Sequence, residues 1–318
     1  MKKSFAIIAA FAVFTGCITV EAANRTAGDG GTSQSGALVS RRALEAEMWN
    51  RPVELREGVT LRAYAMEKPR KMKAYVAKID LSAPGIGFTA SDRDADWGKP
   101  MPDCTNKLFL INTKRERTPD FMMRRRAGGM NVEVAVNTTP WAPWFHPYTH
   151  KYGCLPAWNV SGGVELSSGK SPERGAFFVV YRDGSVEIAS SVPTSRTNDV
   201  VICMSGFEII MRGGKALFPP KPDKLAPRMA IGLDAGRRTL VFLAVDGRQP
   251  EYSLGADLHD LCDILRREGV TDAVNMDGGG STSLVVFDRD GRVPWMLNHH
   301  AKGAVRKNAV NLGVLFGQ

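Results

Sequence analysis

The run Ala273-Val274-Asn275-Met276-Asp277-Gly278-Gly279-Gly280-Ser281-Thr282-Ser283-Leu284-Val285-Val286 sets a carboxylate, three glycines and a set of hydroxyls between two apolar strands. Successive glycines are costly in backbone entropy, so a folded chain keeps them where φ is positive or where another group must approach the backbone closely. Backbone N–H groups left free in such a turn converge on anions. Asp277, at the end of the first strand, would stand beside that cradle, with Ser281 and Thr282 as further donors. The plain structural alternative is a tight hairpin, for which two glycines would suffice. The chemistry suggested is anion binding next to a carboxylate.

Two other segments carry residues of the same character. Pro227-Arg228-Met229-Ala230-Ile231-Gly232 puts an arginine at the start of a strand, and Ala244-Val245-Asp246-Gly247-Arg248 puts a second carboxylate and a second arginine at the end of the next. Guanidinium forks suit the oxygens of phosphate or carboxylate; taken singly, each arginine reads as a surface ion pair. In Val136-Asn137-Thr138-Thr139-Pro140-Trp141 a strand again runs into polar and then aromatic residues. Asn and Trp at a strand exit suit sugar hydroxyls and the apolar face of a sugar, while core packing is the plainer reading of Trp141 and Trp144.

The histidines give less. His299-His300 has no third ligand at metal-site spacing and reads as solvated loop, as do His146 and His150 beside Pro147. Arg124-Arg125-Arg126 reads as the solvated end of a helix, and no nucleic-acid-binding motif accompanies these charges.

The elements that must position these residues are mostly strands. Lys73–Leu81 alternates with period two up to Pro84-Gly85, and Lys107–Ile111 and Asn131–Val136 read the same way. Ala176–Tyr181 and Ser185–Ala189 flank Asp183-Gly184 as a hairpin. Val200–Met204 with Phe207–Met211, and Met229–Leu233 with Thr239–Val245, are two further expected pairs. Asp257–Glu268 is a helix, since Leu258, Leu261, Cys262 and Leu265 share one face and Gly269 follows as a stop. A second helix is expected over Thr118–Arg126, with Thr118 as N-cap and Pro119 at the first helical position, and a short one over Arg41–Asn50. With no regular βαβ alternation, the expectation is an α+β fold: a mixed, strand-rich single domain with few helices over residues 52–318.

Residues 1–16 read as a secretory signal, because Lys2 and Lys3 precede the apolar stretch Phe5–Phe14. Phe14-Thr15-Gly16-Cys17 resembles a lipobox, in which Cys17 would carry lipid; cleavage near Ala22-Ala23 is the alternative. Residues 17–51 read as a tether rich in Gly, Ser and Thr that contains the short helix. The sequence therefore predicts an exported protein, in a bacterial cell envelope as lipoprotein or periplasmic protein, or secreted. Any contact with a membrane would be through Cys17. After Cys17, four cysteines remain in a disulfide-permissive compartment, where three pairings or buried thiols stay open. Without residues 1–16 the charge falls from +9 to +7, and the remaining excess is dispersed rather than clustered, which suits an anionic glycan better than nucleic acid. The hydrophobic fraction of 43% excludes a wholly disordered chain.

VNTTPW, PRMAIGLDAGRRTLVFLAVDGRQ and GADLHDLCDILRREGVTDAVNMDGGGSTSLV together resemble the phosphodiester glycosidase family. The likeness runs from about Lys73 to Phe316 in preserved order, with Thr138-Thr139 where other members often carry Gly. It implies hydrolysis of a sugar-1-phosphodiester, such as a GlcNAc-1-phosphodiester or a related acidic glycan linkage, at the anomeric centre. On that reading Asp277 and Asp246 are the catalytic candidates, for activating water or steadying an oxocarbenium-like transition state. Asn137, Thr138, Trp141, Arg228, Arg248, Gly278, Gly279, Gly280, Ser281 and Thr282 are the candidate substrate contacts. No cofactor is predicted, no metal ligand is assigned, and a divalent metal stays open. The rivals are a glycoside hydrolase or lyase acting on a polysaccharide, and a non-catalytic surface glycan-binding module; the presence of Asp277 favours an enzyme.

Overall fold

A computed structural model describes residues 43–102, 104–144, 150–167, 172–288 and 293–317. The signal and most of the tether, with Cys17, lie outside the described residues, as does His146.

The protein is strand-rich, with few helices and several sheets. The widest sheet has eight strands in the spatial order Val53–Arg56, Val59–Met66, Met72–Asp80, Thr239–Val245, Arg228–Asp234, Val270–Asn275, Glu208–Arg212 and Lys215–Ala216. A five-stranded sheet is built around Phe177–Tyr181, and a second runs in the order Pro294–Met296, Leu284–Phe287, Val132–Asn137, Asn311–Leu315 and Gly87–Ala90. The pairings described within these sheets are antiparallel throughout, which narrows the expected mixed arrangement.

Period-two alternation explains how the layers stack. Along Thr239–Val245, Leu240, Phe242 and Ala244 join Tyr75, Ile231, Val136, Val286 and Phe178 in the central core. Val241, Leu243 and Val245 face the other way, onto Leu261, Cys262, Ile264 and Leu265 of the helix Leu258–Arg267. That strand is buried on both faces and so reads TLVFLAV, nearly all apolar. The helix opens on a capping box, in which the Asp257 carboxylate accepts from the Asp260 N–H and Asp260 accepts in return from the Asp257 N–H. The helix Thr118–Ala127 covers the outer face of the second five-stranded sheet through Phe121 and Met122.

Three expectations are corrected. Val200–Ser205 and Glu208–Arg212 do not pair with each other: the first lies against Phe177–Tyr181, the second against Val270–Asn275, so the chain changes sheet at Gly206. A Cβ at Gly206 would come within 2.4 Å of the Asn275 carbonyl oxygen, which is why that crossing takes a glycine. Lys107–Ile111 forms no strand; Leu110 makes an isolated bridge to Pro100. Arg117 is the N-cap of the second helix, while the Thr118 hydroxyl donates to Asn311 Oδ1 at 2.7 Å. Cys203 and Cys262 are buried thiols in separate core clusters, so they do not pair with each other.

Candidate active site

Strand ends from two sheets meet at one edge of the molecule. In the eight-stranded sheet Arg228 stands opposite Val245 and Ala230 opposite Asn275, so Arg228, Asp246 and Asp277 leave the sheet on the same side. In the second five-stranded sheet Val136 pairs with Leu284, and Asn137 pairs with Asn311. The segment from Asp277 to Ser283 is therefore no hairpin. It carries the chain from one sheet to the other, with a 3-10 turn over Gly279–Ser281.

Each glycine of that crossing has its own reason. A Cβ on Gly278 would fall 2.7 Å from the Pro227 carbonyl oxygen, Gly279 has φ +60, and a Cβ on Gly280 would fall 2.6 Å from Nη2 of Arg306. The crossing is fixed by backbone and amide bonds. The Gly279 N–H donates to the Pro227 carbonyl at 2.8 Å, and the Asp277 N–H donates to the Thr138 carbonyl at 2.8 Å.

Asp277 stands where the crossing begins. Its carboxylate accepts from the Ser281 hydroxyl, the Gly278 N–H and the Trp141 indole N–H, and it feels the charge of Arg306. Loss of hydration outweighs these contacts and pushes its pKa up to about 6. A carboxyl group held there can exchange a proton near neutral pH, as a general acid or base must.

Beside it lies a cavity of about 500 Å³ lined by Arg248, Gly279, Gly280, Thr282, Asn298, His299, His300, Lys302 and Arg306, among others. Its lining is strongly cationic. The Arg248 guanidinium makes no ion pair among the described residues, and its backbone sits at φ 60, a left-handed conformation rare outside glycine. Such strain is typical of functional positions. Arg306 donates to Ser281 Oγ at 3.4 Å, so it touches both the cavity and the hydroxyl that holds Asp277. Burial pushes His300 below the ordinary histidine value, with Arg306 adding to the effect, and its Nε2 lies 3.4 Å from Ser283 Oγ.

The structure sorts the sequence candidates. Arg248, Gly279, Gly280 and Thr282 line the cavity, while Asp277, Gly278 and Ser281 stand behind that lining, Asp277 bonded to the other two. Asn137, Thr138 and Trp141 are buried and do not line it. They hold the crossing instead, Trp141 through Asp277 and Asn137 through the backbone, while Arg115 stacks on Trp141 at 4.5 Å. Arg228 also turns away, donating to the carbonyls of Ala256 at 3.2 Å and Lys224 at 2.9 Å. Asp246 has 0% side-chain exposure; it cannot meet a substrate directly, being sealed behind Asn298 and His299. His299, His300, Asn298, Lys302 and Arg306 are what sequence reasoning missed. The signal for Arg306 was an arginine a few residues ahead of the closing Asn311–Leu315 strand. His150, expected in solvent, is buried between the carbonyls of Tyr152 and Pro143, each 2.8 Å from a ring nitrogen. Among the described residues no group of three or more His, Cys, Asp or Glu is placed to hold a metal ion.

Fold and site together define a strand-rich protein that sets a poised carboxylate against a cationic, glycine-lined cavity. The chain belongs to the phosphodiester glycosidase family, whose model matches residues 130–315 and so contains every residue of this cavity. It is 27% identical over 147 residues to N-acetylglucosamine-1-phosphodiester alpha-N-acetylglucosaminidase of Bos taurus, a match covering 40% of this chain and 27% of the cow protein. The chain thus spans about a quarter of that relative's length. It is also 23% identical over 223 residues to the beta subunit of an ADP-forming succinate–CoA ligase of Gemmatimonas aurantiaca, covering 65% of this chain and 58% of that one; identity that low shows no family. Among solved structures, the zebrafish N-acetylglucosamine-1-phosphodiester alpha-N-acetylglucosaminidase catalytic domain, auto-inhibited by its pro-peptide, superposes with a TM-score of 0.54 at 18% identity, covering 84% of this chain and 87% of that one. This last likeness is one of fold.

Proposed function

We propose that the protein is an exported glycosidase that hydrolyses a sugar-1-phosphodiester, such as a GlcNAc-1-phosphodiester, between the anomeric carbon and the phosphate oxygen. The products are a free sugar and a phosphomonoester. The observation that carries this reading is the pairing of Asp277, held near pKa 6, with a cavity that offers Arg248, Lys302 and Arg306. A phosphodiester brings one negative charge that needs fixed cations, and a neutral glycoside does not. Asp277 is desolvated and deprotonated above pH 6, which suits it to take a proton from water or to steady positive charge at the anomeric carbon. Family membership supports the reaction class. Export is supported by the Lys2-Lys3 and Phe5–Phe14 leader.

The test is incubation of the purified protein with a GlcNAc-1-phosphodiester and, in parallel, with neutral aryl glycosides. Release of GlcNAc from the phosphodiester is the expected result. Turnover confined to the neutral glycosides would overturn the assignment in favour of an ordinary glycoside hydrolase, and binding without turnover of either would favour a glycan-binding module.

A further inference from the structure

We propose that His299 is the proton donor to the departing phosphate oxygen and that Asp246 is its positioning residue. This inference rests on the hydrolytic reading given above.

The geometry of the pair carries it. His299 lines the cavity with a side chain 54% exposed, while Asp246 directly behind it has 0% exposure. One carboxylate holds both parts of the histidine: Asp246 Oδ1 accepts from the His299 backbone N–H at 2.8 Å, and Oδ2 lies 3.7 Å from the ring Nδ1. Two phenols complete the back of the ring, with Nδ1 3.0 Å from Tyr252 Oη and 3.2 Å from Tyr75 Oη. Nδ1 is thereby committed to the protein interior, and Nε2 is the nitrogen left for the cavity.

Asp246 needs this arrangement. Its Oδ2 is buried without a well-formed hydrogen bond, with His299 Nδ1 and the Tyr252 hydroxyl the donors that face the carboxylate, and a buried carboxylate oxygen left so is expensive. An imidazolium with a proton on Nδ1 is the cation in place to answer it. Catalytic hydrogen bonds are often this long in a site without substrate. The charged neighbours act accordingly. Asp246, first, and Glu45 raise the His299 pKa above its ordinary value, while burial and Lys73 oppose them. The neighbouring His300 is pushed the other way by burial. Burial pushes Tyr252 up to about 12 and Tyr75 higher still, so both phenols stay neutral.

The chemistry of the leaving group matches. A phosphomonoester has a second pKa of about 6, close to that of an imidazolium, so proton transfer between them is nearly balanced. In the step, the C1–O bond breaks and its electron pair stays on the bridging oxygen, which takes the Nε2 proton. The water that replaces it at C1 gives its proton to Asp277. Solvent then returns a proton to His299 and removes one from Asp277.

The test uses the full chain and a GlcNAc-1-phosphodiester. His299→Gln should lower kcat by about 10²-fold or more with KM little changed, and should remove the descending limb of the pH–rate profile. Asp246→Asn, checked for folding by near-UV circular dichroism, should move that limb to lower pH. An NMR titration of His299 should show its pKa falling in the same variant, independently of turnover. Should Asp246→Asn fail to fold, the exposed His299→Gln substitution decides alone. A His299→Gln enzyme with wild-type kcat and an intact descending limb would overturn the proposal, as would a change in KM only. Wild-type inactivity on every phosphodiester would instead overturn the functional reading.

Discussion

Asn137 clamps the crossing that begins at Asp277: its amide donates to the Asp277 carbonyl at 2.6 Å, and its own carbonyl accepts from the Ser283 N–H at 2.9 Å. One side chain on the second five-stranded sheet thus fixes both ends of the glycine crossing. Asn137→Ala should leave both backbone groups unpartnered, at about 1–3 kcal/mol for each, and lower activity by displacing Asp277. Asn137→Asp keeps the acceptor for Ser283 but turns a buried carboxylate oxygen onto the Asp277 carbonyl, so it should unfold at no higher a urea concentration than Asn137→Ala. Equal stability of the two variants and the wild type would show that the clamp does not matter.

Asp277→Asn should reduce kcat by at least about 10²-fold, the usual contribution of a positioned acid–base group, while the protein stays folded. The sign of the stability effect follows from the pKa. Asp277 is raised from 3.8 to about 6 in the folded state, so between those values the folded chain holds more protons than the unfolded one, and stability falls as pH rises. The ionised group is a burden at pH 7.5. There the variant should melt no lower than wild type, and any advantage should vanish below pH 3.8. A melting temperature several degrees below wild type at pH 7.5 would contradict this.

The glycines should differ in their tolerance of alanine. Gly278→Ala meets the Pro227 carbonyl oxygen, a backbone atom that cannot move aside, whereas Gly280→Ala meets the tip of the Arg306 side chain, which can. The first should lower thermal stability and abolish turnover. The second should fold normally and lose activity only through the displaced guanidinium. Circular dichroism melts of both, with kcat, separate these outcomes.

Arg248 offers a trade of stability against binding. Its left-handed backbone costs a non-glycine residue about 1–2 kcal/mol. Arg248→Gly should therefore raise the melting temperature slightly while raising KM for a phosphodiester. KM for neutral aryl glycosides should not move. An unchanged KM for the charged substrate would remove Arg248 from binding.

Much of the fold was legible because its signals are local. The alternation in Met72–Asp80, the Asp183-Gly184 turn, and the Leu261, Cys262 and Leu265 face of the long helix all lie within a few residues. Gly206 was harder to read. A strand, a glycine and another strand look like a hairpin, and only the closeness of the Asn275 carbonyl shows that the chain changes sheets there. The neighbourhood of Asp277, Arg248 and the glycines was readable because the residue types are unusual at that spacing. Trp141 and Asn137 were read as substrate contacts and are found buried against the crossing, since sequence does not reveal which way a polar strand exit turns. His299 was read as solvated loop because its partners, Asp246, Tyr75 and Tyr252, come from distant stretches of the chain.

Because the glycine crossing joins two separate sheets, the proposed catalytic apparatus has no existence in either sheet alone. Asn137 and Ser283 are 146 positions apart, so the contact between them closes a very long loop and belongs among the slow, non-local steps of folding. Turnover then serves as an assay of completion. On refolding from denaturant, far-UV ellipticity should recover before activity does, and the lag between them would time the docking of one sheet onto the other.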